Sequence, residues 1–127
     1  MRYTPAVARD RQSVTTMSRR RESRPAALER AAREMQPHCT EAAGVLRALA
    51  NEQRLMILCH LVPGSLSVGQ LNGRVSLSQS ALSQHLAVLR KAGVVRTERQ
   101  SQTVYYSLTP GLVTRLLGVL HEEFCGV

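Results

Sequence analysis

The chain has 127 residues, which suits one small domain and a tail. Seventeen Lys and Arg stand against nine Asp and Glu, a net charge of +8 and a pI of about 10.7, so the first candidate partner is a polyanion such as nucleic acid. No apolar run approaches the ~20 residues of a membrane helix, the N-terminus lacks the apolar stretch of a signal peptide, and three cysteines without an export signal suit free thiols in a reducing, cytoplasmic setting. With three Tyr, one Phe and no Trp, the core must come from Leu, Val, Ala and Ile. A core that small makes dimerisation a natural further source of stability.

Residues 1–25 carry seven Arg against Asp10 and Glu22, show no periodicity, and read as a disordered Arg-rich tail. Met17 is an alternative translation start. The foldable domain is expected over 26–127. Ala26–Met35 is helical and is ended or bent at Pro37. Thr40 can cap a second stretch in which Ala43, Leu46, Leu49 and Ala50 recur at helical spacing. Asn51 suits the N-cap of the next helix, whose apolar face reads Leu55, Leu58, Cys59 and Val62 before Pro63-Gly64 stops it. Ser67 and Gln70 form a capping box opening a short helix through Asn72. A turn near Gly73 follows. Ser78 then caps a longer helix with Leu82, Leu86 and Leu89 inward, closed at Gly93.

From here helical spacing gives way to alternation. Val95 and Thr97 run out, Val104, Tyr106 and Leu108 run back, and the polar segment Glu98–Gln102 suits a hairpin tip. Thr109-Pro110 reads as an N-cap with Pro at the first helical position. Val113, Leu116, Leu117, Leu120 and Phe124 form the stripe of a last helix. The fold expected is mainly α with a small β-hairpin wing: a winged helix-turn-helix of order α-α-α-α-β-β-α.

In such a fold the second helix of the pair enters the major groove with its N-terminal turns. Its outward positions are Gln79, Ser80, Ser83, Gln84 and His85. Gln can bond adenine through two atoms, and Ser can bond a base or a phosphate. Arg96, Arg99, Gln100 and Gln102 lie on or near the wing, and Arg90 and Lys91 are phosphate candidates. The plainer reading is a solvated polar helix face on an interaction module that kept the shape and reads no DNA. An enzyme is disfavoured, because there is no Gly-rich phosphate loop, paired carboxylate site or serine elbow, and no cofactor is expected.

Three segments carry a resemblance. Leu46–Leu55 (LRALANEQRL), Leu77–Val95 (LSQSALSQHLAVLRKAGVV) and Gln102–Leu108 (QTVYYSL) resemble the signature, recognition segment and wing strand of the ArsR/SmtB family over about residues 40–125. The resemblance implies a homodimer joined through first and last helices. It also implies repression at an inverted-repeat operator in double-stranded DNA, with release when an inducer binds.

The inducer is less plainly written. A family metal site with Cys-x-Cys at the short helix meets Ser67 and Gly69 here. Another on the last helix meets Leu108, Pro110, His121 and Phe124. Neither ligand set is present. Cys59 and Cys125 instead resemble the cysteine positions of the persulfide-sensing branch, the BigR/SqrR/HlyU-like repressors, where the pair is joined by a disulfide or polysulfide link. Two alternatives stand beside this. Cys59 on an apolar face can be an inert small hydrophobe. His121 and Cys125, one turn apart, could join Cys59 and either His38 or Cys39 as zinc or copper(I) ligands in a metal-responsive repressor. Cys39 otherwise reads as an accessory thiol or a bystander.

Overall fold

The computed structural model describes residues 22–126. The expected tail up to residue 21, with Met17, lies outside them. Two compact units divide after Thr40.

In the first unit helix α1 (Arg24–Met35) starts two residues ahead of the expected Ala26. Ser23 is the reason: its hydroxyl accepts the Ala26 N–H at 3.2 Å, and Pro25 sits in the first turn, where its missing N–H costs nothing. Arg30 pairs with Glu22 at 2.8 Å and with Glu34 at 3.3 Å. Its hydrogen bond to Glu22 holds that carboxyl below the usual carboxylate range. These pairs are exposed, and such pairs contribute little to stability. No residue of α1 is buried, and Leu28 and Met35 stand in solvent. A 3₁₀ turn at Gln36–His38 holds Pro37 and separates α1 from α2 (Cys39–Leu49). Thr40 is therefore the second residue of α2, where the expectation made it a cap.

In the second unit the inward face of α2 is Val45, Ala48 and Leu49, whereas Leu46 and Ala50, expected inside, are exposed. Helix α3 (Glu52–Leu61) is capped as expected: the Asn51 side chain accepts the Arg54 N–H at 3.0 Å. A two-residue strand β1 (Leu66–Ser67), not anticipated, precedes α4 (Val68–Asn72). The capping box of α4 is complete, with Gln70 N–H to Ser67 Oγ at 3.1 Å and Ser67 N–H to Gln70 Oε1 at 2.9 Å. Asn72 reaches across the following turn to donate to the Leu77 carbonyl at 2.8 Å. Ser78 caps α5 (Gln79–Lys91) through the Ala81 N–H at 3.1 Å, and Gly93 takes the left-handed φ of +77° that closes it.

Strands β2 (Val95–Gln100) and β3 (Thr103–Leu108) pair antiparallel, with β1 on the far side of β3. Because β2 runs to Gln100, the hairpin tip is Ser101-Gln102 alone, narrower than the expected Glu98–Gln102; Ser101 supplies the positive φ, +59°, that so short a loop requires. Helix α6 (Leu112–Cys125) begins three residues after Thr109. Thr109 instead prolongs the sheet, its N–H donating to the Val94 carbonyl at 3.0 Å, and the chain turns at Pro110-Gly111, where Gly111 has a φ of +110°.

The core is aliphatic throughout. Ile57, Leu58, Leu61, Leu71, Leu82, Leu86 and Leu89 are fully buried, with Val94, Val95, Val113 and Leu117 beside them and no buried polar residue among the described residues. Each such Leu or Ile contributes ~1.5–3 kcal/mol relative to exposure. This packing fixes which side of α5 is left outside. Among the described residues no helix is long and apolar enough to cross a membrane.

Candidate nucleic-acid interface and thiol groove

Burial of Leu82, Leu86 and Leu89 on one side of α5 leaves Gln79, Ser80, Ser83 and Gln84 exposed on its N-terminal turns. Donor and acceptor side chains thus line the end of the helix where free N–H groups and the helix dipole favour a phosphate. Arg90 and Lys91 are exposed in the last turn.

His85 differs from its neighbours. It is half-buried, and its Nδ1 lies 3.3 Å from Nη1 of Arg54. A guanidinium can only donate, so Nδ1 accepts, the ring proton sits on Nε2, and Nε2 is the one polar atom left for another partner. The same guanidinium donates from Nε to the Ala48 carbonyl at 2.6 Å and from Nη2 to the Arg47 carbonyl at 3.3 Å. One planar fork thereby ties the end of α2 to α3 and α5. Sequence reasoning placed Arg54 within a signature but assigned it no task.

On the wing, Arg96 pairs in register with Ser107 and Arg99 with Val104. Three residues apart on a strand, they present opposite faces of the hairpin. Both are exposed, as is Gln102 at the tip. Arg74, exposed in the turn between α4 and α5, is a further cation that the sequence reading passed over. Its signal was available, since it is the one Lys or Arg between Arg54 and Arg90.

The second feature is a groove between α3 and α6. Cys59, read from the sequence on the apolar face of α3, is exposed. The reason is that α3 has two apolar stripes. Ile57, Leu58 and Leu61 fill the core, while Leu55, Cys59 and Val62 follow a second line on another face, with Val62 53% exposed. Helix α6 behaves likewise. Val113 and Leu117 are buried, but Leu120 and Phe124 of the same stripe are 38% and 46% exposed. Leu55, Cys59, Leu117, Leu120, His121, Phe124 and Cys125 together line a cavity of about 230 Å³.

Both thiols of the expected pair thus border one apolar space. Burial first, and the neighbouring Cys125 second, push the Cys59 thiol above its ordinary value. Cys125 is exposed as the last residue of α6, which Gly126 closes in a left-handed turn with its N–H on the Glu122 carbonyl at 3.1 Å. The four-ligand metal set does not assemble: among the described residues no three His, Cys, Asp or Glu come close enough to hold an ion. Cys39 is exposed at the start of α2.

The sequence and the fold are similar to those of known proteins. The family model for bacterial regulatory proteins of the arsR family matches residues 51–97. The transcriptional activator HlyU of Vibrio cholerae serotype O1 is 49% identical over 92 residues, 72% of this chain and 85% of the relative. The biofilm growth-associated repressor of Agrobacterium fabrum is 41% identical over 91 residues, 72% of this chain and 78% of the relative. Among solved structures, reduced HlyU from Vibrio cholerae N16961 is similar with a TM-score of 0.67 at 49% identity, covering 72% of this chain and 97% of that one.

Proposed function

The chain belongs to the arsR family of bacterial transcriptional regulators, and from that premise we propose that it is a homodimeric repressor whose grip on an inverted-repeat operator is released when Cys59 and Cys125 become linked through sulfur. The observation that carries the thiol part is the shared cavity, in which both cysteines, on helices far apart in sequence, border the same space. The relatives are named for both signs of control, an activator and a repressor, and the latter supports repression; the form of HlyU specified as reduced supports thiol chemistry. Support for the dimer is α1, none of whose residues is buried, and the exposed Leu112 and Val119 of α6, which a second copy would cover.

The chemistry is thiol–sulfane exchange. Each thiolate attacks the outer sulfur of a persulfide R–S–SH; a new S–S bond forms, the reagent's S–S bond breaks, and R–S⁻ leaves and takes a proton. With both cysteines converted, the terminal sulfur of one attacks the Sγ of the other and expels HS⁻, leaving a trisulfide. Two thiols and two persulfides thus give one linked protein, two R–SH and one hydrogen sulfide. A bridge of this kind ties α6 to α3. Because α6 is then also a dimer element, the link biases the spacing of the two α5 helices without touching DNA.

DNA reading falls to Gln79, Ser80, Ser83 and Gln84 at base edges, with His85 Nε2, Arg90, Arg96, Arg99 and Gln102 at phosphates or the minor groove. The test is operator release by an organic persulfide in the wild type, Cys59→Ser and Cys125→Ser proteins. Release is expected in the wild type alone. Normal release from either single variant refutes the pairing.

A further inference from the structure

A second, larger cleft of about 570 Å³ opens on the other side of Cys59. It is lined by Val62 and Pro63 at the end of α3 and by Thr114, Gly118, His121 and Glu122 along one face of α6. Cys59, Leu117 and His121 border both cavities, so Cys59 stands at their junction, whereas Cys125 borders only the smaller. Gly118 borders the larger cleft, and no atom lies within 4 Å of where its Cβ would be, so a side chain there has room to extend.

We infer that this cleft binds the organic part of the sulfur donor, and that the donor is a persulfide of a small amino-acid thiol. The inference rests on the thiol reading above and names its substrate class. Displacement at sulfur is in-line, so the leaving R–S group lies on the far side of the attacked sulfur from Cys59 Sγ, and it needs room that a bare sulfur atom does not. The cleft falls in the ~300–1,000 Å³ range of small-molecule sites, far more than HS⁻ or an inorganic chain requires. Its lining matches a zwitterion on an apolar stem. Glu122 is complementary to an ammonium, the Thr114 hydroxyl and the His121 ring are suited to a carboxylate, and Val62, Pro63 and Leu117 to the methylene.

The two cavities divide the reaction. In the first step Cys59 loses its proton to water and its thiolate takes the outer sulfur of R–S–SH. The R–S⁻ product, protonated, leaves from the larger cleft. The new Cys59 persulfide then turns into the smaller cavity, where the terminal sulfur of a Cys125 persulfide, formed by a second donor, attacks Cys59 Sγ and expels HS⁻, closing the trisulfide.

The test isolates the first step. In a Cys39→Ser, Cys125→Ser protein, the rate of Cys59 persulfidation is followed by intact mass with cysteine persulfide, N-acetylcysteine persulfide and inorganic tetrasulfide. Filling the cleft with Gly118→Leu is expected to slow cysteine persulfide about tenfold, with tetrasulfide unchanged within about twofold. Glu122→Gln is expected to slow cysteine persulfide about two- to fivefold, as loss of an exposed charge pair does, and to leave the N-acetylated reagent unchanged. Gly118→Leu slowing all reagents alike, or none, overturns the cleft. Indifference of cysteine persulfide to Glu122 overturns the amino-acid head group. Should Gly118→Leu fail to fold, Glu122→Gln decides alone. Selectivity at Cys59 without operator release by the intact protein would instead count against the repressor mechanism and leave the cleft standing.

Discussion

The reading head and the thiol groove share helix α3 but are built on opposite plans. In the reading head the scaffold is held by the Ser67–Gln70 box, the Asn72 clamp on Leu77 and the Ser78 cap, all local, and by the Arg54 fork that reaches from α3 to α2 and α5. What remains outside is a row of uncommitted donors and acceptors on a helix seated by three buried leucines. The groove is walled instead by apolar side chains, Leu120 and Phe124 among them part-exposed, and both of its thiols border open space. Recognition of a rigid partner needs a scaffold that does not yield, while a covalent signal needs a place where two helices can still be drawn together.

The largest effect that would sharpen this contrast is in the head's foundation. Leu86→Ala is expected to lower stability by about 2–5 kcal/mol by denaturant unfolding, because the side chain is fully buried and its neighbours cannot collapse onto the void. The matching truncation in the groove, Leu120→Ala, should cost well under half of that. Equal losses would erase the distinction.

Arg54→Ala comes next, at about 2–3 kcal/mol, since it removes three bonds from a charged donor and leaves the Ala48 carbonyl at the end of α2 without that partner. Arg54→Lys should recover less than half, because an ammonium cannot reproduce the fork. Operator binding separates the surface roles. Gln84→Ala should cost about 1–3 kcal/mol and relax sequence preference at one position of each half-site. Arg99→Ala should weaken all sequences alike and reduce the salt dependence by about one counterion per wing.

The smallest effect is kinetic and belongs to the groove. Partial enclosure by the groove walls, and then the nearby Cys125, raise the exposed Cys59 thiol above its ordinary value. Alkylation of Cys59 in the folded protein should therefore lag a free cysteine near neutrality and keep accelerating at alkaline pH after the free thiol has levelled off. The linkage has the same sign. The raised value favours the fold while the thiol is protonated, and that contribution fades as pH climbs through it. Rates that level off together would show that the groove does not shield the thiol.

The head was far more legible in the sequence than the groove, for the same physical reason. Asn51, Ser67 and Ser78 announce helix starts because their bonds close within three residues. The Leu82, Leu86 and Leu89 spacing then fixes the outward face without knowledge of the rest of the chain. The missed features all depend on distant partners. Strand β1 exists only because Tyr105 and Tyr106 lie alongside it, and Thr109 is drawn into the sheet by Val94 rather than capping α6. Periodicity shows that Cys59 and Val62 fall on an apolar line of α3, but not that the core takes the other line. The exposure of Cys59 was hidden for that reason, although the family resemblance singled out both Cys59 and Cys125.

Operator affinity measured on one sample before and after persulfide treatment, with the Cys59–Cys125 link verified by intact mass and peptide mapping, bears on the central claim most directly. The account predicts a loss of about 5–150-fold, the usual size of coupling between two sites, and its recovery on reduction. A fully linked protein that holds the operator as tightly as the reduced one would contradict it.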